Sequence, residues 1–189
     1  TIPDDASTRN YVEGKQGEFS GQKLTTQYSI TGYYAKKLIY YGNIISNNVV
    51  INEYPFPIVR LADLYLMYAE ALNEDGGSRE DVLNILQPLR DRAGLTAKLV
   101  NRTDLQTQDE IRNFIRKERT VELAFEDHRA WDVRRWNVAE KALARPIYGI
   151  DVYSRKIAQE RVFAPKMYLY PIPEGEIWKT NIENNPGWE

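Results

Sequence analysis

The stretch TQDEIRNFIRKERTVELAFEDHRAWDVRRW, from Thr107 to Trp136, decides how the rest of the chain is interpreted. Thr107 is a favourable N-cap residue, and Glu110, three positions later, completes a capping box. We therefore predict a helix from this point and a second helix after the short break EDH. At about 100° per residue, five apolar side chains share one arc of the first helix: Ile111, Phe114, Ile115, Val121 and Phe125.

Two carboxylates, Glu118 and Glu122, fall within that apolar arc. A buried carboxylate without a partner costs several kcal/mol, so both need cations nearby. Arginines are abundant within the same stretch, at positions 116, 119, 129, 134 and 135. We therefore predict structural ion pairs that hold the two helices together, with Glu118, Glu122, Arg129 and Asp132 as their members.

A catalytic alternative exists for the same two glutamates. Acidic residues one helical turn apart have Cβ atoms roughly 6 Å apart, which is compatible with the carboxylate pair of a glycoside hydrolase. The face that Glu118 and Glu122 share is otherwise Ile, Phe and Val, which suits an interior better than an open cleft. Structural pairing is therefore the preferred interpretation, and catalysis by Glu118 and Glu122 is the alternative.

Composition limits the other possibilities. The 189 residues suffice for one domain with a sizeable core, and the net charge of −2 gives no basic surface for nucleic acid. Apolar runs stay shorter than the roughly 18 residues of a membrane helix. With no cysteine and one histidine, His128, a metal centre is hard to build, so we expect neither metal nor cofactor.

Residues 1–56 contain many Gly, Ser and Thr residues and few helix-forming patterns, which predicts an irregular, tyrosine-rich segment packed on the helices. Within it, TGYYAKKLIYYG carries two tyrosine pairs. Tyrosines can stack on a carbohydrate and hydrogen-bond to it, although packing of this segment onto the helices is the favoured interpretation. The candidate ligand-binding residues are Tyr33, Tyr34, Tyr40 and Tyr41.

Residues 57–189 form the predicted helical region. Pro57 is placed as the first residue of a helix that is apolar nearly all round, and Ser78 with Asp81 starts the next one after EDGG. Pro88 predicts a kink in this second helix near residues 84–87. The resulting helical hairpin is similar to one tetratricopeptide unit. Further along, we predict a long loop at 145–159, a short helix at 174–178 and a type II turn at Pro186-Gly187.

The order of these motifs resembles the C-terminal region of the SusD/RagB family of outer-membrane nutrient-binding lipoproteins. The resemblance covers roughly 130 residues from Tyr54 onward. It is carried by RLADLYLMYAEAL (60–72), LRDRAGL (89–95), IRKER (115–119), ELAFE (122–126), Arg129, WD (131–132), RRW (134–136), YPIP (170–173) and NPGW (185–188).

The resemblance implies a mainly α fold, with tetratricopeptide-like helical hairpins, long irregular loops and little strand. It also implies binding without catalysis: a surface-exposed lipoprotein of the cell outer membrane that binds oligosaccharides, or in some members oligopeptides. The implied partner is a SusC-type TonB-dependent transporter. Family members are far longer and carry a lipidated cysteine, so we expect this chain to be a C-terminal fragment or one piece of a nicked protein.

Overall fold

The computed structural model describes residues 57–149 and 157–188, together with Thr31, Tyr33, Ala35 and Lys37. These residues are mainly helical with very little strand, which confirms the predicted fold class. The helices are α1 (Leu61–Glu74), α2 (Arg79–Arg92), α3 (Gln108–Glu122), α4 (His128–Arg135), α5 (Ala139–Leu143) and α6 (Glu174–Thr180). Two strands, β1 (Ile147–Tyr148) and β2 (Ile157–Gln159), and short 3₁₀ helices at Leu99–Asn101 and Pro165–Tyr168 complete them.

The chain divides into two compact units. One unit is Lys37–Asp132, which contains α1, α2, α3 and the first residues of α4; the other combines Thr1–Lys36 with Val133–Glu189. The boundary between an irregular segment and a helical region at residues 56 and 57 stays a prediction, because residues 38–56 lie outside the described part.

The helix α1 packs on α2 and α3 with one face only. Its buried side chains are Ala62, Asp63, Leu66, Ala69 and Asn73. The prediction of a helix buried nearly all round is therefore wrong: on the opposite side, Leu61, Leu64, Met67 and Tyr68 are exposed. An apolar composition makes burial favourable, but it does not supply a neighbouring element to cover each face.

The helix α2 follows α1 as the predicted hairpin. Ser78 caps it by accepting a hydrogen bond from the backbone N–H of Asp81 at 3.1 Å. The helix continues on both sides of Pro88. Pro88 and Asn84 are both exposed, so water can bind the Asn84 carbonyl that the missing N–H leaves without its usual donor.

The helix α3 begins with the capping box that the sequence predicts, between Thr107 and Glu110. Five apolar residues were predicted to share the buried face of this helix. Ile111, Phe114 and Ile115 are buried as predicted, whereas Val121 and Phe125 are exposed. For Phe125 the reason is local: α3 ends at Glu122, and the positive φ angle of Phe125 (63°) takes it out of helical phase. Val121 lies within α3, but its side of the last turn is left uncovered, as its exposure shows.

Each unit has its own hydrophobic core. Leu66, Leu83, Leu86 and Ile115 are fully buried at the centre of the helical unit. A smaller core in the C-terminal unit forms around Val133, Ala139 and Phe163. There, β1 and β2 pair antiparallel within the region predicted to be a long loop, which corrects that prediction. Strands of two and three residues are too short to produce a detectable alternation in the sequence.

The capping box makes a quantitative prediction. Thr107→Ala should lower the free energy of unfolding by about 1 kcal/mol, because the backbone N–H of Glu110 loses its acceptor at the start of α3. Thr107→Ser keeps the hydroxyl and should lose only a few tenths of that amount. Urea unfolding followed by circular dichroism measures both; equal losses in the two variants would contradict the capping role.

Candidate functional site

Three charged side chains meet in the interior of the helical unit. Arg119 Nη1 donates to Asp63 Oδ1 at 2.9 Å, and its Nε donates to Asp132 Oδ2 at 3.0 Å. Arg119 Nη2 lies 3.2 Å from Asp132 Oδ1, so this second contact is bidentate. All three side chains are buried. One guanidinium therefore connects α1, α3 and the start of α4.

A second group of charges, the glutamate cluster, lies at the C-terminal end of α3 and consists of Lys37, Arg60, Arg92, Glu122 and Glu126. Arg60 bonds both glutamates, with Nη1 at 2.9 Å from Glu122 Oε1 and Nη2 at 2.7 Å from Glu126 Oε1. Arg92 Nη2 lies 2.7 Å from Glu122 Oε2. The Arg60 guanidinium, helped by Lys37, outweighs burial and holds the pKa of Glu126 at about 2.

Lys37 also completes the end of the helix. Its Nζ donates to the carbonyl oxygens of Glu122 at 2.7 Å and Ala124 at 2.8 Å, and it forms an ion pair with Glu126. Carbonyls at a helix C-terminus lack intrahelical donors, and a lysine there is favourable both as a donor and as a positive charge.

The structure gives each residue of the predicted ion-pair set a partner. Glu118 pairs with Arg90 at 2.8 Å, and Glu122 pairs as described above. Asp132 pairs with Arg119, whereas Arg129 donates to the hydroxyl of Thr120 at 2.9 Å. The glutamates thus take their arginines from the N-cap of α1 and from α2, and not from the nearby arginines that the sequence pattern favoured.

Of the four tyrosines predicted to bind ligand, the structure describes Tyr33, whose side chain is 59% exposed. Its backbone N–H donates to Thr31 Oγ1 at 3.3 Å. Tyr34, Tyr40 and Tyr41 lie outside the described residues. Ligand binding by this set stays a prediction.

A cleft of about 760 Å³ lies in the C-terminal unit, where no sequence motif predicted a site. Three α6 residues on one helix face line it, at positions i, i+3 and i+4: Glu174, Ile177 and Trp178. Asn181 ends α6 in the left-handed conformation (φ 53°) and turns the chain back. The returning segment supplies Ile182, Glu183 and Asn184, and Ile172 and Trp188 complete the lining.

The backbone around this cleft is fixed by side-chain hydrogen bonds. Asn184 Oδ1 accepts from the backbone N–H of Ile172 at 2.8 Å, and its Nδ2 donates to the carbonyl of Trp188 at 3.0 Å. Trp188 Nε1 in turn donates to the carbonyls of Lys166 and Leu169, each at 3.0 Å. Trp188 therefore acts as a wall of the cleft, while Trp178 remains 77% exposed.

The turn that brings Trp188 back is the predicted one at Pro186-Gly187. The N–H of Trp188 donates to the carbonyl of Asn185 at 3.1 Å, and Gly187 has φ +83°, which a type II turn requires at that position. A Cβ at Gly187 would lie 2.9 Å from Lys166 Cβ. Both the backbone angle and the available space therefore require glycine.

Comparison with known sequences identifies the family. The family model described as the SusD family matches residues 4–188. The chain belongs to the SusD family. Two relatives from Formosa agariphila are similar to it: SusD-like protein P2 is 30% identical over 153 residues, and SusD-like protein P38 is 30% identical over 138 residues.

The chain spans less than a third of each of these SusD-like relatives. The match covers 78% of this chain and 29% of P2, and 70% of this chain and 23% of P38. Among the described residues, none of the helices is long and apolar enough to cross a membrane. The same residues contain no group of three or more His, Cys, Asp or Glu side chains placed to hold a metal ion.

The glutamate cluster predicts a specific pH dependence. Because the folded-state pKa of Glu126 lies near 2 and its ordinary value is 4.5, its stabilisation is present above about pH 4.5 and is lost as the pH falls towards 2. Glu126→Gln should lower the free energy of unfolding at pH 7 by on the order of 2 kcal/mol. The difference from wild type should shrink below pH 4.5, as measured by urea unfolding.

A matched control is available on α6. Glu176 forms an exposed i,i+3 pair with Lys179 at 2.9 Å, so Glu176→Gln should change the unfolding free energy by less than about 0.5 kcal/mol. A difference between wild type and Glu126→Gln that stays constant from pH 7 to pH 2 would show that Glu126 is not stabilised as a carboxylate.

The turn at Pro186-Gly187 gives another prediction. Gly187→Ala should destabilise the C-terminal unit by about 1–2 kcal/mol, because alanine is strained at this positive φ and its Cβ meets Lys166. Gly175→Ala is the control: it lies in α6 with open space around it, so it should be neutral or slightly stabilising. Thermal unfolding compares the two, and equal melting temperatures would refute the steric argument.

Proposed function

We propose that this chain is part of a nutrient-binding protein of the cell outer membrane, which binds oligosaccharides at the cell surface without breaking a bond. In this proposal a lipid anchor holds the protein at the surface, and the protein delivers its ligand to a SusC-type TonB-dependent transporter. The observation that carries the proposal is membership of the SusD family along nearly the whole chain.

The contacts of Glu118 and Glu122 support binding over hydrolysis. A catalytic carboxylate, whether general acid or nucleophile, must reach the substrate, and a guanidinium hydrogen-bonded to the carboxylate occupies that position. Arg90 contacts Glu118, and Arg60 and Arg92 contact Glu122. Both glutamates are therefore better suited to holding the helices than to attacking a glycosidic bond.

The test is a binding screen. The full-length product of the gene and the 189-residue chain are applied to a glycan array and to a peptide library, and positive ligands are measured by calorimetry. We expect at least one oligosaccharide to bind the full-length protein and to be recovered at its original length after incubation. Binding of peptides alone would replace the sugar assignment with the oligopeptide alternative.

Two variants separate binding from catalysis. Because each substitution weakens a charge-assisted hydrogen bond, Glu118→Gln and Glu122→Gln should each lower the free energy of unfolding by about 1–3 kcal/mol. The selectivity among glycans should remain unchanged. Cleavage of an oligosaccharide by the wild type, abolished in these variants without loss of stability, would instead show a glycoside hydrolase.

A further inference from the structure

We propose that the cleft between α6 and the turn at Pro186-Gly187 binds a pyranose ring of an uncharged oligosaccharide, with the sugar face on the indole of Trp178. This inference rests on the proposed function and names a site and a ligand class for it. The volume of the cleft, about 760 Å³, lies in the range of roughly 300–1,000 Å³ that is usual for small-molecule sites.

The two tryptophans of the cleft differ in what they are available to do. The indole N–H of Trp188 is engaged by two backbone carbonyls, and Lys166 Nζ lies 4.5 Å from the centre of its ring. Trp178, on the face of α6 that lines the cleft, is 77% exposed. A flat, exposed aromatic ring beside a fixed wall is suited to stacking against another ring.

The other residues that line the cleft suit both the C–H groups and the hydroxyl groups of a sugar ring. Ile177 and Ile182 supply apolar surface for the C–H face, and Glu174 and Glu183 lie on the lining as exposed carboxylates. A carboxylate accepts hydrogen bonds only, so it pairs directly with sugar hydroxyl donors. If an apolar helix of a partner protein occupied the cleft instead of a sugar, the carboxylates of Glu174 and Glu183 would face an apolar surface, which is unfavourable.

The charge of the cleft selects among glycans. The two charged side chains among its described lining residues are both acidic. Uronic acids and sulfated sugars would place a like charge beside Glu174 and Glu183, whereas neutral sugars would not. Because these carboxylates are exposed, the repulsion should be strongest at low ionic strength and weaker at physiological salt.

The backbone around the cleft is also preorganised for binding. Asn184 bonds the segments on either side of α6 to each other, and Gly187 fixes the turn that carries Trp188. Binding therefore requires little ordering of the backbone, which favours affinity for a small ligand.

The experiment uses the full-length gene product and calorimetry with six named probes. They are the hexasaccharides of cellulose, laminarin, amylose, xylan and mannan, all neutral, and the hexamer of galacturonic acid. We expect a neutral probe to bind more tightly than the uronate, and Trp178→Ala to weaken that binding at least tenfold. Trp131→Ala, which removes an indole that is 62% exposed on α4, is the control and should retain wild-type affinity.

A spectroscopic measurement covers the case in which Trp178→Ala disturbs α6. Trp178→Phe keeps an aromatic face, so it should bind within about threefold of wild type. Its ligand-induced change in tryptophan fluorescence should be smaller than that of wild type, because Trp188 is then the remaining tryptophan among the described lining residues. Wild-type affinity in Trp178→Ala, or a fluorescence change in Trp178→Phe as large as that of wild type, would overturn this site and leave the proposed function standing. Binding of no glycan probe at all would overturn both.

Discussion

Burial of the Arg119 guanidinium between Asp63 and Asp132 connects three helices, α1, α3 and α4, in one ion-pair network. Each of these ions would cost several kcal/mol if it were buried alone, and the contacts at 2.9–3.2 Å compensate only when α1, α3 and the start of α4 are all in place. An apolar contact tolerates a shifted neighbour, whereas a buried ion does not. The triad therefore specifies one arrangement of these three helices.

The glutamate cluster extends this arrangement to the end of α3. Arg60, at the N-cap of α1, binds Glu122 and Glu126 on the two sides of the point where α3 ends. Lys37 donates to the last carbonyls of the helix. The break between α3 and α4, where two residues adopt positive φ, is thus held by these charges together with the burial of Leu123 in the core. Carboxylates held in this way contribute to the stability of the fold.

Some of this was predictable from the sequence. The capping box of α3 and the turn at Pro186-Gly187 depend on residues within four positions of each other, so local patterns predict them. The arginine partners do not: Arg60 is 62 positions from Glu122, and nothing local distinguishes it from the nearer arginines. Periodicity likewise gives the direction of a side chain but not whether another element covers it, which explains the exposed Leu64 and Met67.

The residues that hold the scaffold differ from those of the proposed ligand surface. The carboxylates of Asp63, Asp132 and Glu126 are held by cations at buried or nearly buried positions, so replacing them disturbs helix packing. The side chains of Trp178 and Glu183 are exposed on a segment whose shape is fixed by Asn184 and Gly187, so they can change with little effect on the backbone. Under the proposed function, the fold and the ligand specificity therefore depend on different residues.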